Sequence, residues 1–299
     1  MKTVPVLQEN DVVCLLSPAS AFADDTLLET SVRALEDLGF RVRVFASAKD
    51  KNGYLASDDE VRAADVNRAF ADDEVRAVFC TRGGYGCMRI LPLLDYEMIR
   101  AHPKPLIGLS DVTALHLALY EKAGLRTLHA PMPFRYPELP KAAMQRLKSL
   151  LTGQNEATYT KEDGLFTIRV GKAEGEMLGG NLTLVTCLLE SEYLPDFTGK
   201  ILFLEEVGEE EYRIDRLLTT LALSGRLDTL GGIVFGGFTD CGREEKIREI
   251  LFSCTPKHIP VLGGFPAGHL QNNHAFCEGA RVTLDATHAT LYFHPHEEE

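Results

Sequence analysis

The stretch PLIGLSDVTALHLALYEKAG, residues 105–124, passes from an apolar, strand-like run into a segment of helical period with one hydroxyl, Ser110, at the joint. A serine there can cap the helix by accepting the backbone N–H of Thr113, which is the more usual role, or it can act as a nucleophile. The surrounding G-L-S-D-V lacks the second glycine of the G-x-S-x-G elbow, so position alone leaves both roles open. A nucleophilic serine needs a base within hydrogen-bond reach and an acid to orient that base. Of the nine histidines, His116 falls inside the helix after Ser110 and reads as a packing residue, while His294 and His296 lie in the tail. His269, in GGFPAGHLQNN, sits in a Gly/Pro-rich loop of the kind that carries catalytic groups. Carboxylates cluster after ILFL as Glu205, Glu206 and Glu209. Glu205, the first polar residue after four apolar ones, is the best placed to point inward, where burial demands a partner. Glu209 and Glu210 suit a solvated loop.

A second chemical feature is TRGGYGCM, which follows the apolar run AVFC. It does not fit the G-x-G-x-x-G dinucleotide fingerprint, so a nucleotide cofactor is not expected from it. Gly83, Gly84 and Gly86 can instead expose backbone N–H groups to a ligand and take positive φ at little cost. From the residues alone, a plain tight turn and an oxyanion hole both remain open.

The elements that would position these groups follow from periodicity. DVVCLLS, RVRVFA, RAVFCT and KPLIGLS read as strands, several of them apolar throughout, as strands buried on both faces are. DTLLETSVRALEDLGF and DDEVRAADVNRAFADDE read as helices between them, the first ending in Leu-Gly and the second opening on acidic residues that suit its dipole. Alternation of this kind gives a parallel sheet with helices on its faces, a Rossmann- or flavodoxin-like α/β domain over residues 1–155. Ligands bind such a sheet beyond the carboxyl ends of its strands, where the loops SPAS, TRGGYG and GLSD should all emerge. Periodicity stops at TGQNEATYTKEDG, which suggests a linker over 156–170. Beyond it, LFTIRVGKAEGEMLGGN, KILFLEE, GGIVFGGF, RVTLDA and ATLYFH read as strands, with helices at LTLVTCLLES and EYRIDRLLTTLALSG. The mixture implies a smaller α+β, partly barrel-like domain over 171–299.

Composition narrows the functional classes. A chain of 299 residues with a formal charge of −13 repels phosphate backbones and anionic lipid, so nucleic acid and membrane surfaces are not expected partners. The seven cysteines form no C-x-x-C pair, which favours free thiols in a reducing cytoplasm over a zinc or dithiol site. The first residues, MKTVPVLQENDVV, hold no apolar run of signal-peptide length, and no stretch approaches the roughly 20 apolar residues of a membrane span. A cytoplasmic location is expected. The acidic end HPHEEE reads as a solvated tail.

Several segments together resemble one family, the LD-carboxypeptidases, a serine peptidase class that includes murein tetrapeptide carboxypeptidases and microcin C immunity hydrolases. They are RGGYG at 82–86, LPLLDY at 91–96, IGLSDVTALH at 107–116, GGNL at 179–182, ILFLEEVGEEEYRIDRLL at 201–218, GGIVFGGF at 231–238 and FPAGH at 265–269. The resemblance implies a Ser-Glu-His order, with Ser110 as nucleophile from the first domain and Glu205 as orienting acid and His269 as general base from the second. It also implies an oxyanion hole from the backbone N–H groups of Gly84 and Asp111. Where family members often show G-Y-S-D and H-G-P-M, this chain has G-L-S-D and H-A-P-M, and Glu206 stands where Asp is frequent.

The resulting expectation is a carboxypeptidase that releases the terminal D-alanine of murein tetrapeptides in cell-wall recycling through an acyl-enzyme. Its partner is a small muropeptide, with no metal and no cofactor, and the family commonly forms homodimers. Arg82 and the adjacent Gly83 are expected to hold the substrate, the guanidinium offering a fork to its terminal carboxylate. Two alternatives stay open: a microcin-type hydrolase that cleaves a peptidyl-nucleotide amide, and a non-catalytic muropeptide-binding protein.

Overall fold

The computed structural model describes residues 6–295. The tail from 296 onward, including His296, and residues 1–5 of the N-terminal segment lie outside the described residues. The strands in chain order are β1 (Val12–Leu16), β2 (Arg41–Val44), β3 (Val75–Cys80), β4 (Leu106–Gly108), β5 (Leu128–His129), β6 (Ala157–Tyr159) and β7 (Phe166–Arg169). They continue as β8 (Lys172–Asn181), β9 (Ile201–Val207), β10 (Gly232–Thr239), β11 (Val261–Gly263), β12 (Phe276–Cys277), β13 (Ala280–Asp285) and β14 (Thr290–Phe293). The described residues divide into two compact units, one holding 6–154 together with 274–277, the other holding 155–273 and 278–295.

The first unit is built on a six-stranded sheet in the order β12-β5-β4-β3-β1-β2. β1 to β5 run parallel and only β12, against β5, is antiparallel. Val13, Leu15, Val78, Phe79, Leu106 and Ile107 are completely buried, which is why these strands read as unbroken apolar runs. β2, the alternating R-V-R-V, stands at the edge and is the strand left partly exposed. Helices Thr26–Glu36, Asp59–Ala71 and Thr113–Ala123 make the crossovers a parallel sheet requires. The first stops at Gly39, whose φ of +92° lets the Phe40 N–H return to the Leu35 carbonyl at 3.2 Å. Because β4, β3 and β1 are neighbours, the loops that follow them emerge side by side at the carboxyl edge. Ser17 and Thr81 hydroxyls bond across two of those loops.

The second unit is a curled, half-barrel sheet of eight strands in the order β6-β14-β13-β8-β9-β10-β11-β7. β8, β9, β10 and β11 are parallel; β13, β14, β6 and β7 join antiparallel. Where the sequence suggests a linker over 156–170, the chain carries both edge strands, β6 and β7. Their pairing partners, β14 and β11, lie more than ninety residues downstream, and an edge strand so short leaves little local periodicity to read. The second unit is also interrupted by residues 274–277, which return to supply β12 to the first sheet. Among the described residues no helix is long and apolar enough to cross a membrane.

Candidate active site

Ser110 does not cap a helix. It is the first residue of a 3-10 turn, Ser110–Val112, that leads into the helix Thr113–Ala123, and neither start is capped by a side chain. Its backbone sits at φ +67°, a left-handed conformation that costs a non-glycine residue about 1 kcal/mol or more. The kink lies where β4 gives way to the helix, although the second glycine of the usual elbow is missing. His116 ties the end of β4 to the following helix. Its Nε2–H donates to the Gly108 carbonyl at 2.9 Å and its Nδ1 accepts from the Thr127 hydroxyl at 2.8 Å. Burial lowers its pKa to about 4, so it stands as a neutral structural imidazole beneath the serine turn.

The glycine loop packs directly on this turn. A Cβ added at Gly83 would lie 2.8 Å from Ser110 Cβ, 2.9 Å from its Oγ and 3.1 Å from the Asp111 nitrogen. Only a glycine leaves that space open in front of the hydroxyl. Gly84 and Gly86 take φ of +102° and +133°, and the loop is tied to S-P-A-S by Ser20, whose N–H donates to the Gly83 carbonyl at 3.3 Å and whose Oγ accepts from the Tyr85 N–H at 3.1 Å. Arg82 donates to the Ala21 carbonyl at 3.0 Å and, among the described residues, has no carboxylate at ion-pair distance. Asp111 is buried and its carboxylate accepts the Cys87 N–H at 2.7 Å. Burial pushes the Asp111 carboxyl up, against that hydrogen bond and the charge of Arg62.

In the second unit the two adjacent glutamates of β9 point to opposite sides, as consecutive strand residues must. Glu205, fully buried, accepts the Nδ1–H of His269 at 2.7 Å and the His269 backbone N–H at 3.2 Å through one oxygen. Glu206 turns away to helix Leu182–Cys187, accepting the Thr183 N–H at 2.9 Å, the Thr183 hydroxyl at 2.7 Å and the Asn181 amide. Burial raises the Glu206 carboxyl, opposed by these donors. For His269, burial alone would lower the pKa. The hydrogen bond and charge of Glu205, joined by the charge of Glu206, outweigh it, and the net shift is upward.

Glycines explain how the His269 loop comes so close to β9. Gly268, at φ +109°, would place a Cβ 2.7 Å from the Glu205 oxygen. A Cβ at Gly236 would meet the Ala267 carbonyl at 2.5 Å, and the Gly237 N–H donates to the same carbonyl at 3.0 Å. The G-G of GGIVFGGF therefore marks where the FPAGH loop lies on β10. Thr239 completes the mount by donating to the His269 carbonyl at 2.6 Å.

The structure thus brings Ser110, Gly83 and Asp111 together in one unit and Glu205 and His269 together in the other. Among the described residues no cluster of three or more His, Cys, Asp or Glu side chains is placed to hold a metal ion, and all seven cysteines are free. Sequence reading missed Arg62, whose guanidinium is fully buried behind the glycine loop. A signal existed: Arg62 shares a helical stripe with Val66, Ala69 and Phe70, all buried, so a charge on that face had to find partners inside.

Comparison with known proteins identifies the family. The LD-carboxypeptidase N-terminal domain matches residues 13–130 and the LD-carboxypeptidase C-terminal domain matches 174–284. The chain belongs to the LD-carboxypeptidase family, and as such is a serine-type peptidase, a hydrolase of peptide bonds. It is 37% identical to a probable murein peptide carboxypeptidase of Bacillus subtilis, over 95% of this chain and 92% of the relative. It is 35% identical to a murein tetrapeptide carboxypeptidase of Pseudomonas aeruginosa, over 91% and 92%. Among solved structures, an MccF-like protein from Bacillus anthracis superposes with a TM-score of 0.89 at 28% identity, covering 99% of this chain and 100% of that one.

Proposed function

We propose that this protein removes the C-terminal D-alanine from murein tetrapeptides, with Ser110 as nucleophile, His269 as general base and Glu205 as the carboxylate that orients it. The observation that supports this reading most directly is the 2.7 Å hydrogen bond from His269 Nδ1–H to the buried Glu205. A carboxylate can only accept, so the proton sits on Nδ1 and Nε2 is left as the basic nitrogen.

Ser110 Oγ attacks the amide carbonyl before the terminal D-alanine, and its proton passes to His269 Nε2. The N–H groups of Gly84 and Asp111 hold the oxyanion, worth about 10²- to 10³-fold each. His269 then protonates the departing amine, D-alanine leaves, and water enters by the same base to release the acyl group from Ser110. Arg82, with no carboxylate partner of its own among the described residues, takes the substrate's terminal carboxylate, and Gly83 keeps the approach clear. All of these groups belong to the chain itself. The same reading expects a homodimer in the cytoplasm acting on peptides recovered from the wall.

The test is incubation of purified protein with a murein tetrapeptide and, separately, a peptidyl-nucleotide amide of the microcin C type, with products scored by mass spectrometry. Free D-alanine from the first at the higher kcat/KM is the expected result. Cleavage of the second alone would move the protein to the immunity hydrolases. Tight binding of tetrapeptide without turnover would make it a binding protein on the same scaffold.

A further inference from the structure

We infer that Arg62 is a positioning residue that sets the oxyanion loop against the nucleophile, an inference that rests on the role proposed for Ser110. The helix Asp59–Ala71 delivers its guanidinium, completely buried, behind the carboxyl edge of the first sheet. The Nε–H donates to the Ser57 carbonyl at 3.1 Å, and Nη1 donates to the Gly86 carbonyl at 3.0 Å and to the Pro18 carbonyl. Nη2 pairs with the Asp59 carboxylate. One side chain therefore holds backbone oxygens from three separate loops: S-P-A-S after β1, the turn before its own helix, and R-G-G-Y-G after β3.

The contact at Gly86 is the one that reaches the nucleophile turn. In a trans peptide the C=O and N–H point in opposite directions. The carbonyl of the Gly86–Cys87 peptide faces the Arg62 cation, and its N–H faces the Asp111 carboxylate at 2.7 Å. A single peptide plane is thus fixed at both ends by opposite buried charges, and each charge-assisted bond polarises the plane in the sense that strengthens the other. Asp111 is the residue after Ser110 and is the proposed donor of one oxyanion N–H. Arg62 is linked through one peptide to the nucleophile turn at one end of the glycine loop. Through Pro18 it also steadies the loop that Ser20 uses to hold Gly83 and Tyr85. The fit is tight, since a Cβ at Gly86 would lie 2.7 Å from Arg62 Nη1.

A lysine keeps the charge and most of the volume but offers a single nitrogen, which cannot serve three carbonyls lying in different directions. In Arg62→Lys the loop drifts, kcat falls about 10- to 100-fold and KM stays within about 3-fold, since the loss is confined to the transition state. Asp111→Asn, at the other end of the same peptide, gives a similar loss, and the double variant loses less than the product of the two.

Rates are expressed per site titrated with a small alkyl fluorophosphonate, which bonds Ser110 Oγ to phosphorus, expels fluoride and passes the serine proton to the base. Its rate of labelling must fall alongside kcat, because the phosphoryl oxygen needs the same donors but none of the peptide contacts. Unchanged kcat and labelling in folded Arg62→Lys overturn the inference. So does a change in KM alone, or strict multiplicativity with Asp111→Asn. If neither Arg62→Lys nor Arg62→Gln folds, Arg62 is a residue of the fold and the inference is equally overturned. Wild type that is labelled at Ser110 yet leaves tetrapeptide intact refutes the proposed substrate while the labelling rates still decide the role of Arg62. Wild type that is not labelled at all removes both.

Discussion

Glu205→Gln separates charge from shape at the His269 pair. The carboxylate gives one oxygen to both N–H groups of His269, at 2.7 and 3.2 Å, while no partner stands near its other oxygen among the described residues. A glutamine fits by placing its carbonyl oxygen where the bonded oxygen is, which keeps both hydrogen bonds and the Nδ1–H tautomer. What disappears is the negative charge beside an imidazole that must become positive during the reaction. A hydrogen bond to a charged group is worth about 1.5–3 kcal/mol against about 1 for a neutral one. The lost difference, about 0.5–2 kcal/mol, corresponds to a fall in kcat of about 2- to 30-fold, while the buried amide left unsatisfied lowers stability rather than kcat. The pH profile gives an independent reading. Burial lowers the pKa of His269 and the Glu205 hydrogen bond and charge raise it, so removal of the charge lowers the pKa and the acidic limb of kcat/KM, set by protonation of the base, moves to lower pH. The assay is D-alanine release between pH 5 and 9 for both proteins, with thermal unfolding as a control. An unchanged rate, or a limb that stays put or moves up, refutes the pairing of Glu205 with a catalytic imidazole.

Ser110→Ala should abolish turnover while leaving the fold intact, and Ser110→Gly should be the more stable of the two inactive proteins by about 1 kcal/mol in denaturant titration, because glycine relieves the +67° backbone. Gly83→Ala places a methyl 2.8–2.9 Å from the Ser110 side chain. It should cost about 10²-fold or more in kcat with a fall of only a few degrees in unfolding temperature. His116 binds its proton at about pH 4 when folded and at 6.5 when unfolded, so the unfolded chain takes up the extra proton as pH falls between those values. Stability should therefore drop by about 3 kcal/mol from this group between pH 6.5 and 4. Guanidinium unfolding at several pH values measures the drop, and a histidine C–H resonance titrating near 6.5 for His116 would contradict it.

Where local pattern and tertiary role agree, the sequence is readable. The buried runs at β1, β3, β4 and β9 and the amphipathic helix Thr26–Glu36 announce themselves by period. Strand alternation puts Glu205 and Glu206 on opposite faces but does not say which of them meets His269; that depends on where the distant FPAGH loop packs. Other features depend on distant partners and leave no local trace: β5 and β12 are two residues each and exist only because they pair with one another and with β4. The two roles that position left open for Ser110 are another case, since the +67° backbone that withdraws it from capping depends on the turn it enters and not on its residue type. Arg62 illustrates a third case, a charge whose importance lies in three backbone oxygens that no residue type reveals.

The return of residues 274–277 to the first sheet has a practical corollary for anyone dissecting this protein. Expression of the first 154 residues alone would strip β12 from β5 and bare a row of backbone groups beside His129. Such a fragment should aggregate, whereas supplying the missing pairing as a peptide containing Phe276 and Cys277 should restore solubility. Excision of either unit as an independent module therefore requires rewiring the chain, not merely choosing a place to cut it.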